Sequence, residues 1–452
     1  MLTTTLLVVG LVLIALTLAD KEVRRLPLSP ALVYLVLGWA TGALFEQPDR
    51  ATMDDVMPRL VFVTEAVVLI SLFAVGLRLK VPATLRAWRP ALLMAAPGML
   101  VAIGLAALLA HLLLGFDWAA ALLLGAILAP TDPVLASEVQ IRADGDRDAV
   151  RLNLTAEGGL NDGTAMPVVM LALGLLGLHD LGVYGARWWS IDLLRSVGGG
   201  TLLGALTGLL IGRALAWRFA RGDKVARDEL LYLGVVTLTF GLARLTHTST
   251  FVSMFAAGVT LLWPLRHESV LATGQVLSER MHSFGARIER LVEAAGVLAV
   301  GVSLYYLPPT WSTFGFGILL VLMVRPLSVF AVIWPGAMTR HQRRLLAWFG
   351  IRGIGSLYYL AYALEHGVNG VNGVLGTQLA STVLTAIAVS ILLHGVSATP
   401  VMASYQLRRL SSGRRPRRGV LRPAAAPAPV SVASTVPAPP SAPPPPTLPP
   451  AD

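Results

Sequence analysis

The chain has 452 residues, 55% of them hydrophobic and only 14% charged, with a mean hydropathy of +0.68. A soluble chain carries about 25% charged residues, so this deficit excludes a string of ordinary soluble domains and points to a polytopic membrane protein. There is no cysteine, which excludes disulfides, thiolate metal sites and thiol catalysis; the net charge of +10 raises nucleic acid as a partner, and only the placement of the basic residues can decide that.

Apolar runs of about 20 residues suffice to cross about 30 Å of hydrocarbon as helix. Thirteen such runs are predicted, at 3–19, 28–45, 59–78, 90–114, 118–138, 152–178, 193–212, 229–245, 249–264, 291–307, 311–334, 345–365 and 376–398. The first has no basic n-region and no small-residue cleavage site, so it reads as a retained helix, not a signal peptide. The eighth and ninth are separated only by "RLTHTST".

The third span places Glu65 at mid-length in "VFVTEAVVLISLF". In the fifth, Pro130 and Pro133 bracket Thr131 and Asp132 within "ILAPTDPVLASEV". Each proline removes a backbone donor and clashes with the preceding turn, so the pair predicts a broken helix. The freed carbonyls and half-helix ends then need partners from protein, water or ions. Glu138 and Arg142 follow, where they could guard an entrance.

The sixth span carries "EGGLNDGTAMP" at 157–167. Glu157 and Asn161 share one helical face, and Gly158 and Asp162 the neighbouring one. A charged residue at mid-membrane costs about 2.5–3.5 kcal/mol on insertion scales. Glu157 and Asp162 have no basic residue within a helical turn. They are expected to face a wet cavity, bind a cation or hold a proton.

Residues 265–290 mix apolar and charged positions and read either as an interfacial amphipathic helix or as a solvated connector. The eleventh span buries Arg325 in "VLMVRPLSVF". Arginine cannot deprotonate in proteins, so a permanent anion is required, and Glu65 is the expected partner, with Asn161 able to join through its amide. Arg352 lies in the Gly-rich "WFGIRGIGSLYY", which suggests a second broken helix; the arginine either snorkels or is functional. His111, His179, His247 and His394 fall near span ends and read as interfacial, while Trp188, Trp189 and Trp311 fit an aromatic belt. Residues 405–452 form a basic cluster followed by a Pro/Ala-rich tail, expected to be disordered with a linker role.

Loop charges set the orientation. With the N-terminus outside, the cytoplasmic segments hold about 29 of the 36 Lys and Arg. The basic excess is therefore topology, not a nucleic-acid patch. The C-terminus falls in the cytoplasm of a cell that carries the protein in its inner membrane, with lipid as the surrounding partner. The spans also divide as six, one, six. Repeats at about 1–178 and 229–398, joined by a linker helix at 193–212, would be inverted in the membrane, within a transmembrane domain of 1–404.

Four separated elements, "APTDPVLASEVQ" (129–140), "EGGLNDGTAMP" (157–167), "VRPLSVF" (324–330) and "WFGIRGIGSL" (348–357), resemble the monovalent cation/proton antiporters, in the sodium/proton exchanger branch with an Asn-Asp motif. The resemblance implies an all-α fold of inverted six-helix repeats with two broken helices crossing at mid-membrane, and a homodimer. It implies that Asp162 binds the cation or the proton. Glu157 and Thr131 would supply further oxygens for Na+, and Asn161 the partner amide. Glu65–Arg325 would be the stabilising ion pair, and Asp132 would balance the half-helix ends. Relatives often carry a small hydroxyl residue where this chain has Gly158, a departure that bears on the choice among Na+, Li+ and K+.

The expected activity is electroneutral exchange of Na+ or Li+ for H+ by alternating access, with no enzyme chemistry and no cofactor beyond the transported ions. Hard monovalent cations take oxygen ligands; Asn161 stands where other branches of the family carry a second aspartate, and it is this resemblance that implies one-for-one, electroneutral exchange. The alternatives are K+/H+ exchange or a channel-like efflux system. More remote is an intramembrane aspartyl protease using Asp132 and Asp162, although "GxGD" is absent.

Overall fold

The computed structural model describes residues 29–45, 50–79, 84–136, 139–141, 146, 148–223, 227–266, 270–334, 336, 338–368 and 374–411, together with Gly10, Leu11, Ile14 and Leu18. Most of the first predicted span, Glu138 and Arg142, and the chain beyond Ser411 therefore lie outside the described residues. Every element among the described residues is helical. Lipid imposes this, because a helix satisfies its own backbone N–H and C=O groups where no water can.

In chain order the helices are α1 (Pro30–Thr41), α2 (Arg50–Arg78), α3 (Leu85–Leu114), α4 (Trp118–Leu128), α5 (Ala149–Leu175) and α6 (Gly200–Ala220). There follow α7 (Asp228–Leu245), α8 (Thr250–Leu261), α9 (Leu271–Tyr306), α10 (Trp311–Val332), α11 (Arg340–Trp348), α12 (Ile354–Glu365) and α13 (Leu375–Ser411). Chain contacts divide the protein into Met1–Ser404 and Tyr405–Asp452, and the helix packing described here belongs to the first unit. Residues 271–290 and the tenth predicted span form one helix: α9 has 36 residues, about 54 Å at 1.5 Å per residue, more than the hydrocarbon needs.

Wide turns interrupt α3 at Met94–Gly98 and α10 at Leu320–Val324. Pro97 and Pro326 explain them, since a residue without an N–H cannot continue the normal ladder. The second of these turns leads directly into Arg325.

α8 is buried along its whole length and packs between α2 and α6. Small residues permit the contact. A Cβ on Gly204 would lie 2.0 Å from the Ser253 carbonyl oxygen, and one on Gly212 would lie 2.2 Å from that of Leu261. On the other side, a Cβ on Gly258 would sit 2.5 Å from the Phe73 carbonyl oxygen. α5 packs against α3, α4 and α8, and α12 runs against α2 while touching α4 and α5. The two interrupted stretches, after α4 and between α11 and α12, thus meet beside the polar face of α5.

Candidate ion site at the crossing of two broken helices

The fifth predicted span is helical only to Leu128; Pro130 and Pro133 end it as their chemistry requires. The twelfth is split at Phe349–Gly353, between α11 and α12. The two breaks cross in direct contact, with the Asp132 amide donating to the Ile351 carbonyl at 2.8 Å.

One carboxylate serves both sides of the crossing. Asp132 Oδ1 accepts from the amides of Val134 (2.7 Å) and Leu135 (3.4 Å). Its Oδ2 accepts from the Ile354 and Gly355 amides (the latter at 3.3 Å) at the start of α12. These are amides that a helix start leaves unpaired, and an anion there also meets the positive end of the helix dipole. Gly353 is required by the approach: a Cβ would lie 2.4 Å from Asp132 Oδ2.

Two arginines treat the opposite helix ends in the same way. Arg352 donates from Nη1 to the Pro130 carbonyl at 3.0 Å. It is 1% exposed, so the snorkelling alternative fails: the break carries its side chain inward. Arg325 donates from Nη2 to the Phe349 carbonyl at 3.0 Å.

The expected Glu65–Arg325 pair does not form. Arg325 makes a two-pronged ion pair with Glu157, Nη1 to Oε1 and Nη2 to Oε2 (2.8 Å). Glu65 instead pairs with Arg244 and accepts from the Thr250 hydroxyl at 3.1 Å. Hydropathy places Glu65 and Arg325 each within a span, but only packing sets which charges stand at the same depth. Arg244, near the end of α7, reads as a loop-flanking residue in sequence, yet its long side chain reaches Glu65. Glu157 was expected to offer oxygens to the ion; both of them face Arg325.

Asn161 donates from Nδ2 to the Thr131 hydroxyl at 2.7 Å, joining α5 to the first break. It takes no part in an arginine pair among the described residues. Gly158 faces the same break. A Cβ there would lie 3.4 Å from Gln140 Nε2 and 3.7 Å from the Thr131 carbonyl oxygen, ordinary contact distances. The position therefore has room for a small side chain that the sequence does not supply.

Asp162 is the exception to this pairing. It is 1% exposed, and neither of its carboxylate oxygens has a hydrogen-bond partner. Gly355 packs against it, with a Cβ there falling 3.1 Å from Oδ1, and Tyr359 donates its hydroxyl to the Asp162 backbone carbonyl. Asn161 Oδ1 and Ser356 Oγ are also buried without partners. Buried polar atoms are ordinarily hydrogen-bonded, and these four oxygens depart from that rule. The crossing brings together two arginines, Arg325 and Arg352, and three carboxylates, Glu157, Asp132 and Asp162, so one carboxylate is in excess. One monovalent cation or one proton would bring the crossing to neutrality. The donors are hard oxygens, suited to an alkali ion. No cluster of three His, Cys, Asp or Glu side chains able to hold a metal ion occurs among the described residues.

The other sequence candidates are structural. His111 contacts the Phe116 carbonyl at 2.7 Å, and His179 pairs with Asp192 at 2.9 Å. His394 is not interfacial but 2% exposed in the core. Trp188 donates to the Pro167 carbonyl at 2.6 Å, whereas Trp189 and Trp311 are exposed. Sequence reasoning missed Ser356, Tyr359, Ser390 and Arg244, ordinary residue types whose roles arise only from what lies across from them.

The family model for the transmembrane region of sodium/hydrogen exchangers matches residues 9–404. The chain is 26% identical over 310 residues to the Na(+)/H(+) antiporter NhaP of Pseudomonas aeruginosa, covering 66% of this chain and 68% of that one. It is 28% identical over 359 residues to the K(+)/H(+) antiporter NhaP of Alkalimonas amylolytica, covering 77% of this chain and 58% of the relative. Its fold matches that of the sodium proton antiporter MjNhaP1 from Methanocaldococcus jannaschii at pH 8, with a TM-score of 0.67 at 18% identity over 88% of this chain and 99% of that one. Crossed breaks, a carboxylate without a partner and a match spanning nearly all of the helical domain lead to one conclusion: the chain belongs to the sodium/hydrogen exchanger family.

Proposed function

We propose that the protein exchanges Na+ or Li+ for H+ across the membrane, with Asp162 as the group for which cation and proton compete. The observation that carries this reading is the buried Asp162 carboxylate with both oxygens unused. A carboxylate holding the proton cannot also hold the cation, so competition at one group couples the two fluxes. The neutral oxygens of this reading are those of Asn161, the sequence neighbour of Asp162, of Thr131, to which Asn161 is bonded, and of Ser356, next to the Gly355 that packs on Asp162. Asp132 and Arg352 anchor the crossing, and Glu157–Arg325 joins α5 to α10. The protein acts as a transporter rather than an enzyme, needing no cofactor beyond the transported ions.

One-for-one, electroneutral exchange follows from the same accounting. Asp132 is held by four backbone amides and Glu157 by a guanidinium, which leaves Asp162 as the one crossing carboxylate free to change partners. An aspartyl protease needs two carboxylates free to share a proton, and Asp132 has its oxygens committed. Alternating access, with the crossing presented to each side of the membrane in turn, a cytoplasmic C-terminus and a homodimer complete the reading. K+ as the exchanged cation is the second reading, favoured by the similarity to a K(+)/H(+) antiporter.

The test is proton flux, followed with a pH-sensitive dye, in proteoliposomes challenged with Na+, Li+ or K+ across the neutral to alkaline range. Asp162→Asn should abolish cation-driven flux while leaving the melting temperature unchanged or raised. Flux at the wild-type level in that variant sinks the assignment.

A further inference from the structure

The second break is gripped from a side that the charged groups do not account for. α13 presents Ser390, His394 and Ser397 at spacings of four and three, one helical face. Ser390 Oγ accepts the Arg352 amide at 2.9 Å. His394 Nε2 lies 3.0 Å from the Trp348 carbonyl oxygen, and Ser397 Oγ accepts the Trp348 indole N–H at 3.0 Å. Trp348 ends α11, and Arg352 is the last residue but one before α12 begins. The stripe thus holds the interrupted backbone at both ends. On the same turns of α13 the Gly395 carbonyl accepts the Ser29 amide at 2.9 Å, so the residues that hold the break are themselves tied to the start of α1.

The bonding partners make this a donor–acceptor strut, not simple packing. The Trp348 carbonyl is one of the last in α11, which a helix leaves without a partner, so contact with it requires a proton on Nε2. Nδ1 then faces Ser390 alone, 3.3 Å from its hydroxyl and 2.8 Å from its carbonyl oxygen. The hydroxyl can donate to a neutral ring and the carbonyl can accept from a protonated one, so the Nε2 bond to Trp348 survives either state. Ser390 is wholly buried and His394 nearly so, which closes both off from bulk solvent.

We propose that His394 and Ser390 are positioning residues for exchange. Resting on the antiport reading above, they set the length of the break between Trp348 and Arg352. They thereby set the place where Arg325 takes the Phe349 carbonyl and where the α12 amides meet Asp132, next to Asp162. Neither side chain has a hydrogen bond to Asp162, so their loss should slow turnover without weakening cation binding.

The test compares His394→Phe, Ser390→Ala and His394→Gln in the full chain. Phe keeps a ring and removes both nitrogens; Gln restores an N–H and an acceptor. His394→Phe and Ser390→Ala should each lower the maximal Na+-driven proton flux by about tenfold, with the apparent KM for Na+ within about threefold of wild type. His394→Gln should recover at least about half of the lost flux. Amide hydrogen exchange supplies an arm independent of transport. The peptide covering 348–357 should exchange about tenfold faster in both loss variants, with the remaining helices unchanged. Unaltered exchange of that peptide in both variants overturns the proposal, as does a His394→Gln flux no better than that of His394→Phe. A wild type that drives no proton flux with any alkali cation would count against antiport instead, and the hydrogen-exchange arm would still decide the strut.

Discussion

The pairing of Glu157 with Arg325 can be measured against the pairing that hydropathy favoured. Both side chains are nearly inaccessible, at 3% and 6% exposure, so solvent screens the pair little. Removing one member of such a pair strands the other charge, at a cost of about 3–5 kcal/mol. Glu157→Leu should fall at the upper end, because Arg325 then keeps only the Phe349 carbonyl. Glu157→Gln should fall at the lower end, since its amide oxygen still accepts one N–H. Replacing both residues by leucine removes the stranded charge and should return most of the loss. The double-mutant cycle therefore predicts a coupling of about 3 kcal/mol, read from denaturant unfolding of the purified protein in detergent by tryptophan fluorescence. The Glu65–Arg244 pair is less enclosed, with Glu65 at 3% but Arg244 at 60% exposure, so its coupling should fall below that of Glu157–Arg325. The cycle between Glu65 and Arg325 should show additivity within about 0.5 kcal/mol. A Glu157→Leu cost under about 1 kcal/mol, or a Glu65–Arg325 coupling as large as that of Glu157–Arg325, would refute the assignment.

Gly158→Ser should fold normally, since its Cβ meets nothing closer than 3.4 Å, and should change the relative flux with Na+, Li+ and K+ by adding an oxygen one turn from Asp162. Asp132→Ala leaves the amides at the start of α12 without their carboxylate; it should destabilise the protein by about 2–3 kcal/mol, as charged hydrogen bonds of this type do, and reduce flux, both measurable on one preparation. Gly258→Ala places a methyl 2.5 Å from the Phe73 carbonyl oxygen and should cost about 1–3 kcal/mol through forced separation of α2 and α8, seen as a lowered melting temperature.

By itself the sequence determined that this is a helical membrane protein whose polar chemistry is concentrated at two breaks. Long apolar runs fix the solvent, and paired prolines or clustered glycines fix where a helix must stop, because both effects are local to the chain. It singled out Glu157 and Asp162 together, since a carboxylate in an apolar run without a nearby base needs a partner, and nothing local told which of the two finds one. What it could not determine was partnership. Glu65 and Arg325 each lie within a span, and nothing local says that Arg244 reaches the first while Glu157 takes the second. His394 read as an end-of-span residue, yet it lies buried against the Trp348 carbonyl, 46 residues away in sequence. Tertiary structure alone decided which buried charges are neutralised and which one is left over. Coulomb energy and hydrogen bonding depend on distances between helices, and the composition of a single helix does not contain those distances.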